Sequence, residues 1–128
     1  MTGNGDVTSM SDAREMMALT GCASVMIGRG ALGRPWVFDE GYEALPPAEQ
    51  WRYRERAIGR HIELIESNFA DNPRYALNQL RKPLGWYVES GLPGCNAARA
   101  AVHAAKSADE AIEAFWSRAL VIFDARCA

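Results

Sequence analysis

The sequence has no apolar run long enough to span a bilayer, no low-complexity tract and no repeat at a period of roughly 20–50 residues, which sets aside membrane-spanning helices, biased segments and solenoids. Cysteine is sparse and odd in number: Cys22, Cys95 and Cys127 stand far apart, without metal-ligand spacing and without a secretory segment among the residues present. Such usage predicts free thiols in a reducing, cytoplasmic compartment rather than a disulfide scaffold. Histidine is sparser still. His61 and His103 have no partner at ligand spacing, so packing or surface roles are expected of both, and no metal is expected. Charge of one sign is also lacking. Fourteen basic against sixteen acidic side chains leave a net charge of −2, which argues against a strong general nucleic-acid binder and leaves a local basic face open.

What is present is the composition of a folded protein, with 48% hydrophobic and 23% charged residues. Two short loops carry the chemistry of the first third, Asn4-Gly5-Asp6 and Gly28-Arg29-Gly30. Each has the form of a turn that leaves a strand and offers backbone N–H groups to an anion, and glycine lets that backbone approach a ligand closely. Between them Ser9-Met10-Ser11-Asp12 starts a helix, Ala13, Met16, Met17 and Leu19 recur at helical spacing, and Thr20-Gly21 ends it. Residues 22–27 are apolar and uninterrupted, as in a parallel strand buried on both faces. Ala31-Leu32-Gly33-Arg34-Pro35-Trp36 supplies a short helix directly after the second loop. Phosphate sites of (β/α)8 barrels have this arrangement, on the loops after the seventh and eighth strands. A pair of tight turns in an ordinary α/β protein is the competing reading.

Leu45-Pro46-Pro47 breaks regular structure and divides the chain into residues 1–46, with charge −3, and residues 47–128, with charge +1. Over residues 48–69, Trp51, Ile58, Ile62, Ile65 and Phe69 line one side of a helix, and Arg52, Arg56 and Arg60 gather on another. Those arginines are a nucleic-acid backbone surface or a solvated face shared with Glu55, Glu63 and Glu66. Residues 74–88 repeat Leu77, Leu80, Leu84 and Tyr87 or Val88 at helical spacing, interrupted by Pro83, which is expected to kink the helix. Arg81-Lys82 and Trp86-Tyr87 combine cations with rings able to stack on bases, although burial in a small bundle is expected for at least one ring. Residues 91–94 read as a loop and 97–105 as an alanine-rich helix. Ser107-Ala108-Asp109-Glu110 then starts a last helix whose buried side is Ile112, Phe115, Ala119, Ile122 and Phe123. Four helices around one core are expected.

Gly3-Asn4-Gly5-Asp6-Val7, followed by Met26-Ile27-Gly28-Arg29-Gly30-Ala31-Leu32-Gly33-Arg34-Pro35-Trp36, resembles the end of the barrel in the flavin-dependent tRNA-dihydrouridine synthases. Arg81-Lys82 with Trp86-Tyr87 resembles an element of that family's helical C-terminal domain, in the bacterial branch related to the nitrogen-regulation-operon protein. The resemblance implies an α/β plus α chain: the last two strand-helix units of a truncated (β/α)8 TIM barrel in residues 1–46, then an α-helical bundle that binds tRNA in residues 47–128. It implies that Asn4, Gly5, Asp6, Gly28 and Arg29 hold the phosphate end of FMN, with Asp6 either orienting the loop or serving as a turn residue. It implies reduction of the C5–C6 double bond of uridine in tRNA by FMN that NADPH has reduced, a cysteine protonating the second carbon. That cysteine belongs to an earlier barrel loop, so no catalytic residue is expected among Cys22, Cys95 and Cys127. Arg52, Arg56, Arg60, Arg81 and Lys82 are the residues expected on tRNA, with Pro83 standing where the family commonly has histidine. A whole barrel needs about 250 residues, so the chain is expected to be the C-terminal portion of a longer enzyme, inactive alone, with no oligomer predicted. A noncatalytic helical module, RNA-binding or interacting, with a vestigial barrel end is the alternative.

Overall fold

Hydroxyl, amide and glycine signals set the element ends in the computed structural model, which describes residues 1–88 and 93–127, with side chains to residue 119. In order these are β1 (Thr2–Asn4), α1 (Met10–Thr20), β2 (Ser24–Met26), three single 3-10 turns (Arg29–Ala31, Pro35–Phe38 and Tyr42–Ala44), α2 (Pro47–Asn68), α3 (Pro73–Tyr87), α4 (Cys95–Ala104) and α5 (Ala108–Cys127). The chain forms two compact units, Met1–Gln50 and Trp51–Ala128.

In the first unit Ser9 Oγ accepts the Asp12 amide at 3.0 Å and caps α1, which ends on Gly21 in the left-handed conformation at φ 68°. Strands β1 and β2 pair in parallel with Gly3 opposite Val25, and the Ala23 amide extends the ladder to the Met1 carbonyl at 3.1 Å. Gly3 faces α1 so closely that a Cβ there would lie 3.0 Å from the sulfurs of Cys22 and Met16. Val7, Ala13, Cys22, Trp36, Val37 and Tyr42 are buried, the last aromatic pair with ring centroids 5.7 Å apart.

The second strand is shorter than residues 22–27, and it is not buried on both faces: Met26 is 55% exposed. A two-stranded sheet with one helix against it covers one face, so Val25 is half-buried while Ser24 and Met26, alternating to the other side, are exposed. For the same reason Leu19 contributes nothing to the core at 79% exposure. The segment after the second loop forms separate 3-10 turns rather than one helix, with Pro35 in the first position of its turn.

In the second unit Asn72 Oδ1 accepts the Tyr75 amide at 3.1 Å and starts α3, while Ser107 Oγ accepts the Glu110 amide at 3.2 Å and starts α5. Ile58 and Ile62 of α2, Leu77, Leu80 and Leu84 of α3, Ala98 and Val102 of α4, and Ala111 and Phe115 of α5 share one apolar core. Ile65 packs against it, while Trp51 and Phe69 of the expected stripe are half-buried, Phe69 meeting the Tyr75 ring edge-on at 4.8 Å. Helix α3 continues through the buried Pro83 to Tyr87, so the proline removes the donor that would reach the Gln79 carbonyl without ending the element. Helix α4 starts at Cys95, ahead of the expected position. Gly91, Leu92 and the side chains of Ile122, Phe123 and Cys127 lie outside the described residues.

Two arginines join the ends of α3 and α4. Arg81 of α3 donates Nη2 to the Ala105 carbonyl at 2.7 Å, and Arg99 of α4 donates to the Gly85 carbonyl at 3.2 Å and the Val88 carbonyl at 2.5 Å. Each guanidinium thereby satisfies carbonyls left open at the other helix's C-terminus.

Candidate functional site

Strand β1 delivers Asn4-Gly5-Asp6 and strand β2 delivers Gly28-Arg29-Gly30 to the same end of the parallel sheet. There the two loops, with Val7, Thr8 and Met26, line one open concavity of about 730 Å³. The loops meet at Gly30, where a Cβ would stand 2.3 Å from the Val7 carbonyl oxygen and 3.1 Å from Thr8 Cα. Only glycine permits that approach. Gly28 is different: a Cβ there would have no neighbour within 4 Å, so it opens on the concavity with room to spare.

The polar groups of this rim are few and defined. Arg29 Nη2 donates to Asp6 Oδ1 at 2.6 Å, both side chains being almost fully exposed, and its other N–H groups have no protein partner among the described residues. An exposed pair of this kind is worth little, so the guanidinium is available to a stronger anion. The amides of Arg29 and Gly30 open a 3-10 turn and, as at any helix start, lack intrahelical acceptors. Beside them Thr8 donates from its amide at 3.0 Å and its hydroxyl at 2.9 Å to Asp12 Oδ2. The Thr8 amide, then its hydroxyl and that of Ser9, hold the Asp12 carboxyl below its usual range. This fixes the segment that packs on Gly30.

Sequence spacing thus brings Asn4, Gly5, Asp6, Gly28 and Arg29 into one place. It does not reveal the Gly30 contact or the Asp6–Arg29 pair, which depend on parallel pairing of strands 22 residues apart. The second glycine of Gly28-Arg29-Gly30 was the available signal for a close backbone approach.

The cations of the helical unit separate into different environments. Arg52, Arg56 and Arg60 are exposed along α2, Arg60 bound to Glu63 at 3.1 Å. Arg81 is half-buried, fixed by the Ala105 carbonyl and by Asn78 Oδ1 at 3.1 Å, whereas its neighbour Lys82 is exposed. Of the two rings, Tyr87 packs on the core and Trp86 stands 46% exposed. His61 Nδ1 meets the Tyr87 hydroxyl at 2.8 Å; burial pushes the His61 pKa down and the Tyr87 pKa up. Cys22 and Cys95 are buried free thiols, and no cluster among the described residues has the groups to hold a metal ion.

Residues 1–121 match the family model described as dihydrouridine synthase. The chain belongs to the dihydrouridine synthase family. Its relatives include a probable tRNA-dihydrouridine synthase of Mycobacterium leprae (strain TN), 39% identical over 114 residues that cover 84% of this chain and 29% of the relative. A tRNA-dihydrouridine synthase B of Xanthomonas axonopodis pv. citri (strain 306) is 37% identical over 83% of this chain and 32% of its own length. For tRNA-dihydrouridine synthase B of Serratia marcescens the values are 33% identity, 88% and 35%. The chain therefore spans about a third of the length of the dihydrouridine synthases it matches.

Proposed function

We propose that this chain is the C-terminal portion of a tRNA-dihydrouridine synthase, joining the last two strand-helix units of a (β/α)8 barrel to a helical tRNA-binding domain. The observation that carries the reading is the convergence of Asn4-Gly5-Asp6 and Gly28-Arg29-Gly30 on one concavity. A phosphate monoester fits that donor set. Gly28 leaves the backbone bare toward the concavity, Arg29 offers N–H groups that no protein acceptor uses, and the turn amides add fixed partial positive charge.

Asn4, Gly5, Gly28 and Arg29 would hold the phosphate end of FMN, and Asp6 would set the Arg29 guanidinium over the loops through its 2.6 Å bond. FMN, reduced by NADPH, would supply the hydride for the C5–C6 double bond of a tRNA uridine. The role of these residues is positional: they anchor one end of the cofactor on a rigid sheet terminus, so that binding energy is spent on orientation. None of Cys22, Cys95 and Cys127 is assigned as the proton donor. Arg52, Arg56, Arg60 and Lys82 would meet tRNA phosphates, and Arg81, held by the Ala105 carbonyl, would position the helix that carries Lys82.

The test is dihydrouridine formation in cells lacking dihydrouridine synthases and supplied with the gene that contains this sequence. Dihydrouridine should reappear in bulk tRNA digests, and Arg29→Ala should reduce both its yield and the flavin retained by the purified protein. Accumulation of the unaltered protein with no dihydrouridine refutes the assignment and leaves the noncatalytic module.

A further inference from the structure

Helix α3 differs from the rest of the chain in charge. Over Pro73–Tyr87 its charged residues are Arg74, Arg81 and Lys82, with no carboxylate, in a protein of net charge −2. Helix α2, by contrast, interleaves its arginines with Glu49, Glu55, Glu63 and Glu66. The buried side of α3 is made by Ala76, Leu77, Leu80, Pro83 and Leu84. Opposite it, Tyr75, Asn78, Lys82 and Trp86 fall within an arc of about 80° at the helical repeat, and all four are exposed.

Two of the large exposed apolar side chains, Tyr75 and Trp86, thus bracket one stripe, each 46% exposed, about 16 Å apart along the axis. Between them lie an amide and an ammonium. Lys82 has no ion-pair partner among the described residues. The centre of a protein–protein interface is depleted in lysine. A cation set between accessible rings, on a helix without acids, suits a polyanion whose bases present flat faces.

We propose that this stripe of α3 binds an unstacked stretch of RNA, with the Trp86 indole stacking on a base and Lys82 meeting the adjoining phosphate. The proposal rests on the reading of tRNA as partner and deepens it: this face takes unpaired nucleotides rather than duplex. Tyr75 and Asn78 continue the same surface toward the start of the helix.

The experiment measures binding of the purified protein to an unmodified tRNA transcript, a short oligouridylate and a blunt RNA duplex, with circular dichroism to verify folding. Trp86→Ala should weaken tRNA and oligouridylate binding about tenfold and leave the duplex unaffected, and Trp86→Phe should restore most of the loss. Lys82→Gln should lower the slope of log affinity against log salt by about 0.7. Unchanged tRNA and oligouridylate affinity in both Trp86→Ala and Lys82→Gln overturns the proposal, and is the outcome if the stripe seats a protein instead. Equal loss on duplex and oligouridylate overturns it as well, because stacking is then not the contact. Dihydrouridine formation, measured separately, decides the activity on which the proposal rests.

Discussion

Gly30→Ala isolates the contact that holds the two loops together. The backbone there is not in the left-handed region, so alanine is conformationally acceptable and the whole effect is steric. A methyl carbon at 2.3 Å from the Val7 carbonyl oxygen must retreat by about 1 Å to reach ordinary contact, and both partners are backbone. Overpacking of this kind costs roughly 1–3 kcal/mol. Taking about 2 kcal/mol, local opening of the first unit becomes about 30-fold more frequent. Hydrogen exchange reads this directly at the Val7 amide, bonded to the Gly5 carbonyl at 2.9 Å, and at the Ala13 amide, bonded to Ser9 at 3.1 Å. Helical amides of α3 and α4 should be unaffected. Gly28→Ala is the matched control: its added methyl meets nothing within 4 Å, so protection should not change, while flavin retention should fall because in the proposed site the methyl would enter the space of the phosphate. Wild-type protection in Gly30→Ala, or equal loss of protection in both variants, would refute the account of how the loops meet.

Arg99→Met should destabilise the helical unit by about 2–3 kcal/mol, since it removes charged bonds to the Gly85 and Val88 carbonyls; the urea midpoint should drop at unchanged slope. Arg29→Ala should weaken flavin retention by roughly tenfold to a hundredfold, the worth of a charged contact of about 1.5–3 kcal/mol, with the helical unit's urea transition unmoved. The His61 pKa lies below its unfolded value through burial, so the unfolded chain binds the extra proton. His61 therefore contributes stability that is complete above about pH 6.5 and is lost as pH falls through the lowered folded value; His61→Gln should flatten that segment of the stability profile. Tyr87 acts oppositely: burial raises its pKa, and its contribution, complete below about pH 10, is lost as pH rises through the folded value.

Features encoded within a few residues were legible in the sequence. Ser9, Gly21 and Ser107 act on amides or conformations in their own turn, and the leucines of α3 declare its buried side by spacing alone. The two glycine loops were legible for a related reason, since each is a local turn, the second at the end of the apolar run Val25-Met26-Ile27. Strand burial was not, because an apolar run gives no information on how many strands lie beside it. Residues 22–27 have the composition of a doubly covered strand, yet with one neighbouring strand and one helix, Met26 and Ser24 face outward. Pro83 lies inside α3 as the spacing predicts, and the apolar packing on both sides of it carries the helix on to Tyr87.

Arg81 and Lys82 show that neighbours in sequence can stand in different environments. Neighbours on a helix point about 100° apart, so one lies toward the α4 terminus and the other toward solvent. Arg81 reaches the carbonyl of Ala105, 24 residues away, by a bond that no pattern within α3 encodes. The same divergence separates Tyr87, bonded to His61 and packed on the core, from the exposed Trp86. Each pair thus contributes one member to the architecture and one to the surface. The inward members, Arg81 and Tyr87, tie α3 to α4 and α2. In the proposed RNA contact that anchoring would hold the helix under Lys82 and Trp86 in place beforehand, so that less of the stacking affinity would be lost to ordering.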